Sequence, residues 1–436
     1  MSDVTVPLPS GVSAEHAFAV LDAAEEHVFW LDAGPSARTG WSFVGVGTPE
    51  PDPSAVRAVR LGPLRRTRPR VPFGGGWVGW MGYEAGAAAA GAPVHPAADG
   101  VPMQRWLRVD AVVAFSHADR TAQVVGEPDA AAALAARLRT ARPPSASPPI
   151  EEGRASREAL ARHAPDQYAA MIEACRRRIG EGDAYQLCLT TRFTVPGPMH
   201  PRATYERLRA ASPSHHGALI RSGSVALASS SPERFLEISD GVVRTHPIKG
   251  TRRRSADAAV DAALVDELRA DPKERAENVM IVDLMRNDLS RIGRPGSVEV
   301  ERLLEVETYP SAHQLVSTVS VASAPGTTVG DVLDATFPAG SMTGAPKLSA
   351  MTILHALEQA PRGLFAGCFG WVGHDGAADL AMVIRSIVTT PEGAYVGAGG
   401  GITWLSHPPS EVAEVALKAR APLRSLGALL PPDWRV

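Results

Sequence analysis

Four glutamates fall into two pairs of equal spacing, Glu274 and Glu277 in DPKERAENVMIVDLMRNDL and Glu411 and Glu414 in PPSEVAEVALKARA. Both segments read as helices, and residues three apart on a helix share a face, so each pair aims two carboxylates at one region. Repulsion between like charges at that spacing costs about 0.2–0.5 kcal/mol per pair, which a nearby cation would offset. Lys418 lies one turn beyond Glu414 on the same face, and Pro409 suits the first turn of that helix. Hard oxygen ligands from two helices suit Mg²⁺, which takes one or two direct carboxylates and keeps several waters. The same spacing is common on solvated helix faces, and alone it does not separate the two readings.

The stretch HPIKGT places Lys249 at a strand end beside Gly250. Held in a pocket where desolvation favours the neutral amine, such a lysine can act as nucleophile or base; a solvated surface lysine is the plainer alternative. Arg252, Arg253 and Arg254 read as surface groups or a weak partner patch. His313 in SAHQLVSTV is either catalytic or a core histidine bonded to backbone. In FPAGSMTGAPKLSAM, Gly340, Ser341, Thr343 and Gly344 precede a helix, where free N–H groups could meet an anion. Pro346 and the spacing argue against a Walker A loop there, and the glycine run 397–401 lacks the GxGxxG spacing of a dinucleotide loop.

These groups need elements to position them. Tyr168, Met171, Ile172, Cys175 and Ile179 recur at helical spacing after Pro165, which predicts an amphipathic helix ending near Gly180. An Ala-rich helix is expected near 130–138, a strand at 109–117, and a hairpin around Asp240–Gly241. Strands and hairpins followed by helices, without a βαβ repeat, predict an α+β fold on antiparallel sheets. The stretch TARPPSASPPIEEGRAS at 140–156 marks a seam between an N-terminal region, 1–145, and a catalytic region, 157–425, expected to form one intertwined globular unit.

With 44% apolar and 21% charged residues over 436 positions, the composition is that of a soluble globular enzyme. A formal charge of −3, well mixed, gives no basic field for nucleic acid or a membrane surface. Three scattered cysteines, Cys175, Cys188 and Cys368, support neither a disulfide framework nor a zinc site, and no secretion signal or membrane span is expected. The cytoplasm is the expected compartment.

In order, GDAYQLCLTTRF, SSSPERFL, HPIKGTRRR, KERAENVMIVDLMRNDLSRI, SAHQLVSTV, FPAGSMTGAPKLSAM, AMVIRSIV and VGAGGGITWLSHPPSEVAEVALKARA resemble the chorismate-utilising family, over 182–421. That family includes the anthranilate, aminodeoxychorismate, isochorismate and salicylate synthases. LDAGPSARTGWSFVGVG and FGGGWVGWMGYEAG resemble its N-terminal part. The resemblance implies an αββα sandwich with chorismate in a buried cleft and Mg²⁺ on its ring carboxylate. It implies that Glu277 and Glu414 bind the metal directly while Glu274 and Glu411 hold its waters. It implies further that Arg385 and Lys418 face substrate carboxylates, helped by the N–H groups of Gly399 and Gly400, and that Thr343 and His313 line the pocket near the ring. Trp371 stands where relatives often carry a tyrosine that contacts a substrate carboxylate.

Within the family, Gln186 replaces the lysine base of the water-adding members, so ammonia is the implied nucleophile. Lys249 replaces the alanine of anthranilate synthases, as aminodeoxychorismate synthases commonly have it, which implies a covalent step. Lys249 would add at C2 of chorismate as the C4 hydroxyl leaves, with Glu233 as general acid and Thr251 positioning the substrate, and ammonia would enter at C4. No glutaminase segment is recognised, so glutamine use is expected to need a separate amidotransferase subunit. Ser212–His216 and Leu31–Gly34 depart from the segments of tryptophan-regulated relatives, so tryptophan binding is not expected. Anthranilate synthase or 2-amino-2-deoxyisochorismate synthase activity is the nearest alternative reading, and a catalytically silent regulatory subunit a remote one.

Overall fold

The computed structural model describes residues 3–62, 71–97, 99–141, 157–309 and 312–435. Most of the Pro- and Ser-rich seam, 142–156, lies outside the described residues. Two large sheets dominate. A 12-stranded sheet runs Val4–Pro7, Thr121–Gly126, Ala111–Ser116, Trp41–Val46, His27–Asp32, His216–Ser222, Val225–Ser231, Ser386–Thr390, Gly393–Ile402, Gln186–Pro196 and Leu160–Ala161, with Gly344–Ala345 also paired to Gln186–Pro196. A 10-stranded sheet runs Ile248–Arg253, Ala312–Ala322, Val242–Thr245, Arg234–Ser239, Ala378–Met382, Cys368–Gly373, Gly76–Met81, Gln104–Val109 and Thr48–Pro49, with Glu299–Thr308 on the far side of Ala312–Ala322. Strands from before and after the seam pair directly in both, Leu31 opposite Ala218 and Val78 opposite Trp371.

Period-2 alternation along the strands sorts side chains into layers. In His27–Asp32, Val28 and Trp30 join an outer core with Leu219, Val396 and the helices Ala14–Asp22, Pro128–Thr140, Pro165–Gly180, Pro201–Ala211, Lys347–Glu358 and Pro408–Ser425. Phe29 and Leu31 of the same strand turn the other way and meet Val78, Trp80, Leu107 and Phe369 between the two sheets. On the far side, Trp77, Val319 and Val321 pack under the helices Pro272–Ser290 and Val329–Thr336. The order helix, sheet, sheet, helix is the αββα sandwich that the sequence leads one to expect. Among the described residues, no helix is long and apolar enough to cross a membrane.

The expected local signals have physical counterparts. Asp240 (φ 54°) and Gly241 (φ 71°) both take left-handed backbone between the paired residues Ser239 and Val242, the geometry of a two-residue type I′ hairpin. The helix Pro165–Gly180 buries Tyr168, Ile172 and Cys175, and the Ala-rich helix spans Pro128–Thr140. The helix Pro272–Ser290 is capped by Asp271, whose carboxylate accepts from the N–H groups of Lys273 and Glu274. Fully buried Asn278 pins it to the sheet beneath, its amide donating to the carbonyls of Leu315 (3.3 Å) and Pro247 (3.5 Å) and accepting from the Ser317 hydroxyl (2.6 Å).

Candidate active site

Both glutamate pairs lie in the first two turns of their helices, where the helix dipole favours negative charge. The helices belong to opposite outer layers, yet their N-terminal ends meet at one edge of the sandwich. The meeting is marked by Lys273, whose Nζ stands 3.8 Å from Glu277 Oε1 and 3.9 Å from Glu411 Oε1. Lys249 enters the same place from the edge strand Ile248–Arg253, its Nζ 3.8 Å from Glu277 Oε2 with the side chain only 14% exposed. It reaches across to the other sheet, where a side chain added at Gly401 would come within 3.2 Å of that nitrogen and 2.8 Å of the Gln186 amide. Gly250 (φ 82°) lets the strand turn under the acidic helix, since a Cβ there would stand 3.1 Å from the Glu274 carboxylate.

Burial, together with the negative charge of Glu277 and Asp271, pushes the Glu274 carboxyl above the usual carboxylate range. Burial and the charge of Glu414 do the same to Glu411, against a 2.8 Å hydrogen bond from the Ser406 hydroxyl. Glu414 is bound by Lys418 at 2.6 Å, and Lys418 also donates to the Gly399 carbonyl at 2.8 Å. A cluster of hard oxygen donors in which Glu274 and Glu411 hold their charge reluctantly is chemically suited to a divalent cation such as Mg²⁺. Among the described residues, no three carboxylate, imidazole or thiol side chains converge on one point; the glutamates are spread around Lys249, Lys273 and Lys418.

Glu233 forms the opposite wall. It is buried, accepts a 2.8 Å hydrogen bond from the Ser341 hydroxyl, and has its pKa raised by burial against the opposing pull of Ser341, Lys249 and Lys418. Ser341 comes from the loop before Lys347–Glu358, and that loop is anchored from behind. Fully desolvated Arg362 donates to Glu358 (2.7 and 2.8 Å), to the Met342 carbonyl (2.7 Å) and to the Cys188 carbonyl (2.8 Å), with Tyr83 beneath its guanidinium. Glu358 in turn accepts from the Thr190 N–H and hydroxyl, both at 2.9 Å. Arg362→Met would strand the Glu358 charge in the core, and urea unfolding should show a loss of about 3–5 kcal/mol, with Arg362→Met plus Glu358→Leu recovering part of it.

The sequence pattern of chorismate binding enzymes matches residues 45–424. The chain belongs to that family. It is 40% identical over 368 residues to an aminodeoxychorismate synthase of Streptomyces pristinaespiralis, a match taking in 81% of this chain and 51% of that protein, so the chain spans about half the length of this relative. It is 36% identical over 455 residues to an anthranilate synthase component 1 of Streptomyces coelicolor, covering 96% of this chain and 87% of that one. Among solved structures it is similar to anthranilate synthase component I from Streptococcus pneumoniae, with a TM-score of 0.73 and 27% identity over 97% of this chain and 92% of that one.

In this chorismate binding enzyme, the structure brings together Lys249, Glu233, Lys418 and the four glutamates, and leaves other expected residues elsewhere. His313 is one of these. It is buried, with Nδ1 bonded to the Thr308 hydroxyl (2.9 Å) and Nε2 to Asp261 (3.0 Å), on the helix side of its strand. Alternation turns its neighbour Gln314 toward the space between the sheets, where the Gln314 Oε1 is buried without a protein partner. Trp371 is likewise displaced from the expected role. It packs on Phe73 and Phe43 between the sheets and lines a separate cavity of about 410 Å³ with Trp41, Arg234, Glu237 and Asp379, which contains none of the Lys249 group. Thr343 spends its hydroxyl on the Ala339 carbonyl, and Thr251 is exposed at the outer end of the Lys249 strand. Gly399 offers Lys418 its carbonyl rather than its N–H, and Gly400 lets Glu411 close in, a Cβ there standing 3.3 Å from its carboxylate.

Arg385 takes left-handed backbone (φ 52°), and its guanidinium forms no ion pair or hydrogen bond among the described residues, while burial lowers its pKa. A half-buried cation in that condition has the chemistry to receive an anion. Gln186 is fully buried with neither amide atom partnered, one side chain away from Lys249. Sequence reasoning missed Lys273 and the inward turn of Gln314, and it named Ser341 only for its backbone before a helix, not for its hydroxyl on Glu233. The period of the strand held the clue for Gln314, since His313 and Gln314 cannot face the same way. No local signal pointed to Lys273 or to the contact of Ser341 with Glu233.

Proposed function

We propose that the chain is an aminodeoxychorismate synthase component that converts chorismate and ammonia to 4-amino-4-deoxychorismate, with Mg²⁺ held by Glu274, Glu277, Glu411 and Glu414. The observation that carries this reading is the position of Lys249, drawn into the cleft against Glu277 and Gln186 instead of lying in solvent. Arg385 and Lys418 would receive the substrate carboxylates. Bound at these glutamates, Mg²⁺ would supply a Lewis-acid hold on the ring carboxylate.

In this reading the Lys249 amine forms a bond to C2 as the C4–O bond breaks, and Glu233 gives the proton that lets the hydroxyl depart as water. The raised pKa of Glu233 keeps that proton available closer to neutral pH. Ammonia then bonds to C4 while the Lys249 nitrogen leaves C2 with its electron pair and the ring diene returns. The entering nitrogen passes its extra proton to the Glu233 carboxylate. The sum is chorismate plus ammonia giving 4-amino-4-deoxychorismate plus water. Ammonia would come from a glutamine amidotransferase partner, and the cytoplasm suits three unpaired, buried thiols.

The likeness to anthranilate synthases supports a second reading, amination at C2. Incubation with chorismate, Mg²⁺ and ammonium salt, followed by chromatography and mass analysis, separates them. A product that keeps its enolpyruvyl ether and carries nitrogen at C4 is expected, and anthranilate with free pyruvate would overturn the proposal. Glutamine should not replace ammonium for the chain alone.

A further inference from the structure

Lys273 sits in the first turn of the helix Pro272–Ser290, the end where the helix dipole disfavours a cation. Its side chain is 49% exposed, and it gives up rotamer freedom to lie between Glu277 Oε1 and Glu411 Oε1. Both contacts, at 3.8 and 3.9 Å, exceed hydrogen-bonding distance, so the ammonium is held by charge alone. Lys418 differs. It is tied to the Gly399 carbonyl as well as to Glu414, and is less exposed. Lys249, the third lysine paired to these glutamates, is 14% exposed and reaches in from the edge strand, so of the three Lys273 is the one free to leave toward solvent.

A divalent ion binding carboxylate oxygens at about 2.0–2.1 Å needs the space and the same oxygens that this ammonium occupies. We propose that Lys273 is a tethered counter-ion that joins the two acidic helices until a divalent cation displaces it toward solvent, so that it weakens metal affinity by competition. The inference rests on the metal reading given above, and not on which ring carbon is aminated.

Binding of Mn²⁺ to the full chain without substrate, followed by the electron paramagnetic resonance of the free ion, tests it. Lys273→Met and Lys273→Gln are expected to bind Mn²⁺ about three- to ten-fold more tightly than the unaltered chain, the range set by losing two partly exposed ion pairs. Lys273→Arg should restore ordinary affinity. Saturating Mn²⁺ should also raise the melting midpoint more in Lys273→Met than in the unaltered chain. Equal or weaker binding by both neutral variants would overturn the role of the lysine while leaving the metal site standing. An unaltered chain that binds no Mn²⁺ would remove both.

Discussion

Lys249→Ala should lose ring amination by about 10³-fold or more in kcat/KM, because the proposed C2–N bond is made by the amine of this side chain. Lys249→Arg sharpens the test. It places a cation beside Glu277 but presents no nucleophile, so it should fall as far as the alanine variant, and mass analysis of the product would record both. If Lys249→Arg kept activity within about tenfold, the side chain would be acting as a counter-ion and the covalent route would be wrong. Mn²⁺ binding should survive in both variants, since none of the four glutamates is removed.

Glu233→Gln should lower kcat by about 10²- to 10⁴-fold, the usual contribution of a positioned general acid, with a smaller change in KM. The amide keeps the hydrogen bond from Ser341 but has no proton to give. The pH dependence follows from the direction of the shift. Burial raises the Glu233 pKa, so the protonated form persists to higher pH than for a free carboxyl and is lost as pH rises through that value. At a fixed concentration of neutral ammonia, the unaltered chain should therefore show a falling alkaline limb that Glu233→Gln lacks. The same shift bears on stability: protonation is favoured in the folded chain, so this group's contribution is full below the free-glutamate pKa and fades as pH climbs through the raised one. An alkaline limb that stayed in the glutamine variant would assign it to another group.

Much of this chain can be read locally. The i, i+3 spacing puts Glu274 with Glu277 and Glu411 with Glu414 whatever the rest of the chain does, and Asp240–Gly241 makes a tight hairpin because both positions accept left-handed backbone. The antiparallel α+β class follows from the same short-range patterns. Lys249 beside Gly250 near a strand terminus was also legible, although it stands at the start of the edge strand Ile248–Arg253 instead of closing the hairpin strand Val242–Thr245.

What spacing does not contain is which face of an element meets which other element. His313 and Gln314 were certain to point oppositely, but only the packing of helices on one side of their strand and the second sheet on the other turned Gln314 inward. Trp371 was drawn between the sheets by Phe43 and Phe73, residues about 300 positions earlier in the chain. Ser341 reaches Glu233 across 108 residues, and Lys273 meets Glu411 across a comparable distance. Short-range periods are properties of the backbone and are written wherever the residues are, whereas a shared site is a property of layers closing on one another, and it exists only once both sheets and both acidic helices are in place.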